Sequence, residues 1–147
     1  RLVHFLSKVA HKLPRVVFLL VPRKSNWDNK KLSIPVNLII NPKIDLYQFC
    51  SLCDIHSTVF STFASESSFM GTPNIFINID NLSKLFYSEI FNNHLGVKFA
   101  DDEASYIKII TNWEPPIKSE IKKMSNNLFT NNNYNRIKRF LKETVKL

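Results

Sequence analysis

Three side chains at the start of one predicted helix have the types and the spacing of a nucleotide site. Ser61 and Thr62 follow an apolar predicted strand and open a helix, where free backbone N–H groups favour a phosphate. Glu66 lies four residues after Thr62, on the same helical face and one turn deeper. Its carboxylate repels phosphate but accepts hydrogen bonds from ribose hydroxyls. The alternative is that Ser61 and Thr62 only cap a helix and that Glu66 is a solvated surface residue.

Three further residues are candidates for ligand contacts. His56 lies in the same predicted strand, where it faces either a ligand cleft, touching base or phosphate, or the interior, as a hydrogen-bonded packing residue. Arg23 and Lys24 lie in a basic loop after an earlier strand. They are either phosphate contacts or part of a solvated loop.

The two cysteines do not form a recognisable metal or redox motif. Cys50, Cys53 and His56 lack a fourth ligand at the spacing of a structural zinc site. A redox pair of this spacing belongs at the start of a helix, whereas this pair falls at a predicted helix end. We therefore expect two small buried residues, no metal site and no cofactor. The acidic run 101–103 is interpreted as charge at a helix start rather than as a cation site.

Strands and helices alternate along the chain, which predicts an α/β fold with a mostly parallel sheet and helices on both faces. Pro14 ends the first helix, and Gly71 is placed to end another in the left-handed conformation. Strands are predicted at residues 15–21, 36–40, 55–60, 74–79 and 97–100, and helices at 2–13, 44–52, 61–70, 82–93, 101–113, 117–128 and 134–145.

The 147 residues correspond to a single domain, predicted to span residues 1–147. Two glycines are too few for a G-x-G-x-x-G turn or a Walker A loop. The chain begins with a helix, whereas a parallel crossover requires a strand before it. We therefore expect a fragment of a larger two-domain protein, with a central strand upstream.

Charge is concentrated at the two ends of the chain. Residues 1–35 carry eight Lys and Arg against one acid, and residues 114–147 carry eight against three, within a net charge of +8. Nucleic acid, an anionic membrane and phosphate-bearing small molecules are each compatible with this. No run of five basic residues and no aromatic-basic interleaving occurs, which disfavours specific nucleic-acid binding. With two cysteines and no predicted spanning segment, we expect a cytoplasmic protein.

The segment from residue 61 to 73 resembles a known signature. Ser61-Thr62, Glu66, Gly71 and Pro73 resemble the S-(S/T)-x-x-x-E-(A/S)-x-x-x-G-x-P pattern of GT-B fold glycosyltransferases. The similarity is to the C-terminal, Rossmann-like domain of bacterial capsule and lipopolysaccharide enzymes, including polysialyltransferase-like and CDP-glycerol transferase-like groups. Residues 45–54 are similar to the D-L-Y-x-L-L-x-x-x-D helix that precedes the signature.

The resemblance implies a nucleotide-sugar donor whose phosphate is bound by Ser61 and Thr62 and whose ribose is bound by Glu66. It also implies metal-independent transfer to a bacterial surface glycan or lipid-linked acceptor, on or near the inner face of the membrane. The catalytic base is expected in a missing N-terminal domain, so the catalytic residues stay unknown.

One position departs from the pattern. Relatives often have His-Pro after the strand that corresponds to residues 15–21, so either Arg23 or Lys24 replaces that histidine as a phosphate contact or donor binding is altered. Two alternatives remain open: a nucleotide-sugar 2-epimerase of the same fold and a non-catalytic interaction domain.

Overall fold

The computed structural model describes residues 1–22, 33–40 and 43–128. Its five strands are short, and each lies within a strand predicted from the sequence. They are β1 (Phe18–Leu20), β2 (Leu38–Ile40), β3 (His56–Thr58), β4 (Asn74–Ile77) and β5 (Val97–Ala100).

Helices separate most of these strands. They are α1 (Leu2–Lys12), α2 (Leu46–Leu52), α3 (Phe63–Phe69), a 3₁₀ turn at Ile79–Asn81, α4 (Leu82–Tyr87) and α5 (Glu103–Asn112), followed by α6, whose described part is residues 118–128. The predicted helix at 82–93 is shorter in the structure, because α4 gives way to turns after Tyr87. The predicted helix at 134–145 lies outside the described residues.

All strand pairs of the described residues are parallel, which confirms the α/β class. β1 pairs with β2, with Phe18 opposite Leu38. β4 lies between β3 and β5, with Asn74 opposite both His56 and Val97. The strands therefore form two sheets where the sequence predicts one. No strand of the described residues pairs with the remaining edge of β1 or of β3.

Alternate residues of β4 face two different cores. Ile75 and Ile77 pack into a cluster that joins both sheets to α1 and α5, with Val9 and Tyr106 at its centre. Phe76 points the other way, and its ring stacks on Tyr87 with 4.5 Å between centroids. Helices therefore cover both faces of the three-stranded sheet, as predicted. Every side chain of β4 is buried, so this strand is the centre of the fold.

Gly71 adopts the left-handed conformation that the sequence predicts, with a φ of +85°. It follows the end of α3 and turns the chain into β4. A Cβ atom at this position would lie 2.6 Å from the Lys118 carbonyl oxygen and 2.9 Å from Lys118 Cβ. The glycine is therefore required both for its backbone conformation and for the close approach of α6.

The acidic run at residues 101–103 lies at the start of α5, where Asp102 caps the helix. Asp102 Oδ1 accepts a hydrogen bond of 2.7 Å from Ser105 N, and Ser105 Oγ accepts one of 3.0 Å from Asp102 N. These two bonds form a capping box. Asp101 pairs with Lys84 Nζ at 2.7 Å. In the described ranges, no helix has the length and hydropathy needed to cross a membrane.

Candidate functional site

The predicted site lies where β3 leads into α3. In open parallel sheets, ligands bind beyond the carboxyl ends of the strands. Ser61 is half-buried, and its Oγ accepts a hydrogen bond of 3.2 Å from Phe63 N. Thr62 is exposed and its side chain makes no capping bond. The Ser61 oxygen is therefore an acceptor within the turn, while the Thr62 hydroxyl faces solvent.

Glu66 is half-buried on the first turn of α3 and is held by a residue from α2. The hydroxyl of Tyr47 donates a hydrogen bond to Glu66 Oε2. That bond to the carboxylate raises the pKa of Tyr47 above its usual value. Tyr47 is 57% exposed, so the pair lies at the surface, and within the described ranges no residue donates to Glu66 Oε1. No local pattern in the sequence predicts this pair.

Hydrogen bonds at both ends of α2 position this helix so that Tyr47 contacts α3. Asp45 caps the helix, accepting a hydrogen bond of 2.9 Å from Gln48 N. At the other end, Thr72 Oγ1 donates to the carbonyl oxygen of Cys50 at 3.0 Å. Because Thr72 follows Gly71, this bond ties α2 to the turn that ends α3. The ring of Tyr47 also packs edge-to-face on Phe63, with 5.4 Å between centroids.

His56 is half-buried and makes its hydrogen bonds through Nδ1. Nδ1 lies 2.6 Å from Asn74 Oδ1 and 3.2 Å from Ser67 Oγ. Burial lowers the pKa of His56. On its Nδ1 side, His56 is therefore a hydrogen-bonded packing residue, which is one of the two roles considered from the sequence. Its ring also contacts Phe63 edge-to-face at 5.3 Å between centroids.

Asn74 is fully buried and all of its amide atoms are paired. Nδ2 donates to Ser68 Oγ at 2.8 Å and to the Thr72 carbonyl oxygen at 3.1 Å. Oδ1 accepts from Ser67 Oγ at 2.8 Å and also lies against His56. This hydrogen-bond network around Asn74 was not predicted from the sequence. The available signal was the pair Ser67-Ser68 on the inward face of a helix, followed by a polar residue at the start of a buried strand.

The remaining candidates lie elsewhere. Arg23 and Lys24 are outside the described residues. Cys50 is buried and Cys53 is half-buried, and burial raises the pKa of both thiols. Across residues 1–22, 33–40 and 43–128, no three His, Cys, Asp or Glu side chains are grouped so as to hold a metal ion.

Neither of two open cavities in the described part coincides with this site. One of about 310 Å³ lies between α6 and residues 92–94, and one of about 390 Å³ lies between α1 and the start of α5. The candidate site is instead a surface formed by α2, α3 and His56, the first residue of β3. It contains a carboxylate, a phenolic hydroxyl, an imidazole and the phenyl ring of Phe63.

Comparison of the chain with protein-family models, with curated proteins and with solved structures gave no match.

Proposed function

We propose that this chain is the donor-nucleotide-binding domain of a GT-B glycosyltransferase that acts on a bacterial surface polysaccharide or lipopolysaccharide. The observation that carries the proposal is the carboxylate of Glu66, which Tyr47 orients on the first turn of the helix that follows the parallel strand β3. This position in the fold is where α/β sheets bind nucleotides.

In this proposal Glu66 binds the ribose. Tyr47 engages Oε2, so Oε1 is left to accept a hydrogen bond from a ribose hydroxyl. A carboxylate acceptor forms charge-assisted bonds, which are stronger than neutral ones. The donor phosphate lies further out, beside the exposed Thr62. Because α3 has seven residues, its dipole alone is a weak phosphate site.

The transfer step requires a second domain. The residues of this site bind and orient the donor, and stabilisation of the leaving nucleotide phosphate comes from hydroxyl and basic groups. The acceptor and the catalytic base belong to the N-terminal domain of the whole enzyme. Basic residues near both ends of the chain favour contact with an anionic membrane face, where lipid-linked acceptors reside.

A nucleotide panel tests whether the site exists. The ¹⁵N-labelled chain is titrated with CMP, CDP, UDP and GDP, and backbone amide shifts are followed. At least one nucleotide is expected to move the amides of residues 61–66 in a saturable way. If no nucleotide does so at millimolar concentration, the donor-site proposal is wrong.

Glu66→Ala tests the ribose contact. Hydrogen bonds to charged groups contribute about 1.5–3 kcal/mol, so affinity for the nucleotide is expected to fall about tenfold to a hundredfold. The variant is also expected to lose discrimination against the 2′-deoxy nucleotide, because the group that recognises the hydroxyl is gone. Glu120→Ala is the matched control, since Glu120 is an exposed helical glutamate on α6. Full discrimination in Glu66→Ala would exclude a ribose role for this residue.

The two alternatives give different outcomes in the same experiments. A nucleotide-sugar 2-epimerase converts the donor in the absence of any acceptor, which NMR of the sugar anomeric protons detects. A non-catalytic interaction domain binds none of the four nucleotides at residues 61–66.

A further inference from the structure

The orientation of the Asn74 amide is determined by its neighbours. Ser68 Oγ donates its hydrogen to the Ala64 carbonyl oxygen at 3.0 Å and therefore accepts from Asn74 at 2.8 Å. The same Asn74 atom lies 3.1 Å from the Thr72 carbonyl oxygen, which has no hydrogen to donate. That atom must be the amide nitrogen, because an oxygen there would face the Thr72 oxygen with no hydrogen between them. The amide oxygen consequently faces His56.

This orientation determines the tautomer of His56. Asn74 Oδ1 has no hydrogen, so the contact of 2.6 Å requires His56 Nδ1 to donate. Ser67 Oγ has acceptors of its own at Asn74 Oδ1 and at the Ala64 carbonyl oxygen. Burial lowers the pKa of His56, which favours the neutral ring. A neutral imidazole with a hydrogen on Nδ1 has a bare lone pair on Nε2.

His56 Nε2 is open to a ligand. It makes no hydrogen bond with the described residues, and it is not among the buried, unpaired side-chain atoms. The Phe63 ring contacts both the imidazole of His56 and the ring of Tyr47, at 5.3 and 5.4 Å between centroids. His56 and Tyr47, the partner of Glu66, therefore pack on the same phenyl ring. Nε2 and the Glu66 carboxylate are both hydrogen-bond acceptors.

We infer that His56 Nε2 accepts a hydrogen bond from a hydroxyl or amino group of the bound nucleoside, and that His56 is a nucleoside-specificity residue and not a phosphate contact. The inference rests on the proposed nucleotide site. It assigns the surface around Phe63 to the part of the ligand that carries O–H and N–H donors. The phosphate, which offers only acceptor oxygens when ionised, is directed away from this surface towards Thr62.

The tautomer is measured on the free chain and does not depend on any ligand. Long-range ¹H–¹⁵N correlation spectra of the histidine-labelled protein at pH 7.5 are expected to show His56 as the neutral Nδ1–H form. The signals of His56 are assigned by their absence from the spectrum of the His56→Asn variant. An Nε2–H tautomer or an imidazolium at this pH would overturn the inference while leaving the nucleotide proposal standing.

Ligand contact is tested with cytidine, uridine, adenosine and guanosine, and with inorganic pyrophosphate as the phosphate probe. At least one nucleoside is expected to shift His56 Nε2, and pyrophosphate is expected to leave it unchanged. Comparison of that nucleoside with its 2′-deoxy form distinguishes a ribose donor from a base donor. A nucleoside that moves the amides of residues 61–66 without moving Nε2 overturns this inference alone. Absence of any nucleoside binding overturns it together with the proposed function.

Two variants distinguish the role of His56 Nε2 from that of His56 Nδ1. His56→Asn keeps an N–H group that reaches Asn74 but removes the Nε2 acceptor. It is expected to weaken nucleoside binding about threefold to tenfold, the range of one neutral hydrogen bond, and to leave pyrophosphate binding unchanged. Ser67→Ala is the control, because it removes a contact on the Nδ1 side only. Equal losses in the two variants would indicate a structural role for His56 and contradict the inference.

Discussion

The hydroxyl of Tyr47 donates a hydrogen bond to Glu66 Oε2, which joins α2 to α3 across nineteen residues of sequence. The same two helices are also joined by the ring contact between Tyr47 and Phe63. Because Tyr47 is more than half exposed, the bond contributes little to the stability of the fold. Its consequence is the fixed orientation of the Glu66 carboxylate.

Tyr47→Phe is therefore expected to weaken nucleotide binding by about threefold to tenfold, since one hydrogen bond that orients the carboxylate is lost. Discrimination against the 2′-deoxy nucleotide is expected to remain, because Glu66 is still present. This outcome differs from that of Glu66→Ala, and titration calorimetry with the two nucleotides measures it. Unchanged affinity in Tyr47→Phe would mean that the hydroxyl has no positioning role.

Gly71→Ala is expected to lower the free energy of unfolding by at least about 2 kcal/mol. The left-handed conformation costs a residue with a Cβ about 1–2 kcal/mol. The contact of 2.6 Å with the Lys118 carbonyl oxygen adds to this, because backbone cannot move aside as a flexible side chain can. Urea unfolding of the two proteins measures the difference.

Gly96→Ala is the matched control for this change. Its new Cβ would lie 2.9 Å from Ile121 Cγ1, a side-chain atom that can shift. We expect a smaller loss of stability than in Gly71→Ala. The reverse order would contradict the account of the turn after α3.

Asn74→Ala is expected to cost on the order of 3 kcal/mol. The substitution removes the hydrogen bonds of Asn74 to His56 Nδ1, Ser68 Oγ and the Thr72 carbonyl oxygen, and each such bond contributes about 0.5–1.5 kcal/mol. Asn78→Ala is the control, because Asn78 is only half-buried and two of the three side-chain hydrogen bonds that it makes with described residues lie at the exposed surface. Chemical denaturation that gave similar losses for both would show that the buried network contributes nothing particular.

Stability is expected to fall as the pH is lowered from about 6.5 towards 5. Burial lowers the pKa of both His56 and His94 below the value of 6.5 in the unfolded chain. Below pH 6.5 the unfolded state binds more protons than the folded state, so unfolding becomes more favourable until the folded pKa values are reached. Asp101 and Asp102 do not contribute in this window, since their pKa values are lowered from 3.8.

His56→Asn removes one of the two titrating groups and is expected to flatten the pH dependence in part. The comparison uses the change in unfolding free energy between pH 7.5 and pH 5.0 in each protein, so a lower overall stability of the variant does not affect it. An identical change in both proteins would contradict the contribution of His56.

Features carried by single residues and short repeats were predictable from the sequence. β5 has the predicted bounds, and Gly71 has the predicted conformation because few residues other than glycine adopt a positive φ at a helix end. The strand and helix order follows from the alternation of apolar segments. The acidic run at residues 101–103 was also correctly interpreted as a helix start, which Asp102 and Ser105 form.

Features that depend on packing between distant elements were not predictable. The contact between Tyr47 and Glu66 requires the relative position of two helices, which no local pattern encodes. The Asn74 network requires the register of α3 against β4, so that Ser67 and Ser68 face the asparagine. The division into two sheets depends on which strand edges meet, whereas hydropathy indicates only that each strand is buried.

The central position of β4 determines which backbone amides exchange with solvent last. Its backbone is bonded on one side to β3 and on the other to β5, and its side chains are all buried. β1, β2, β3 and β5 each have a strand on one side only among the described residues. Amide protons of residues 74–77 are therefore expected to exchange with solvent most slowly, through global unfolding, while those of the outer strands exchange through local fluctuations. Asn74 is the first residue of this slowly exchanging segment. The side chain that fixes the ring orientation of His56 therefore belongs to the part of the fold that opens last.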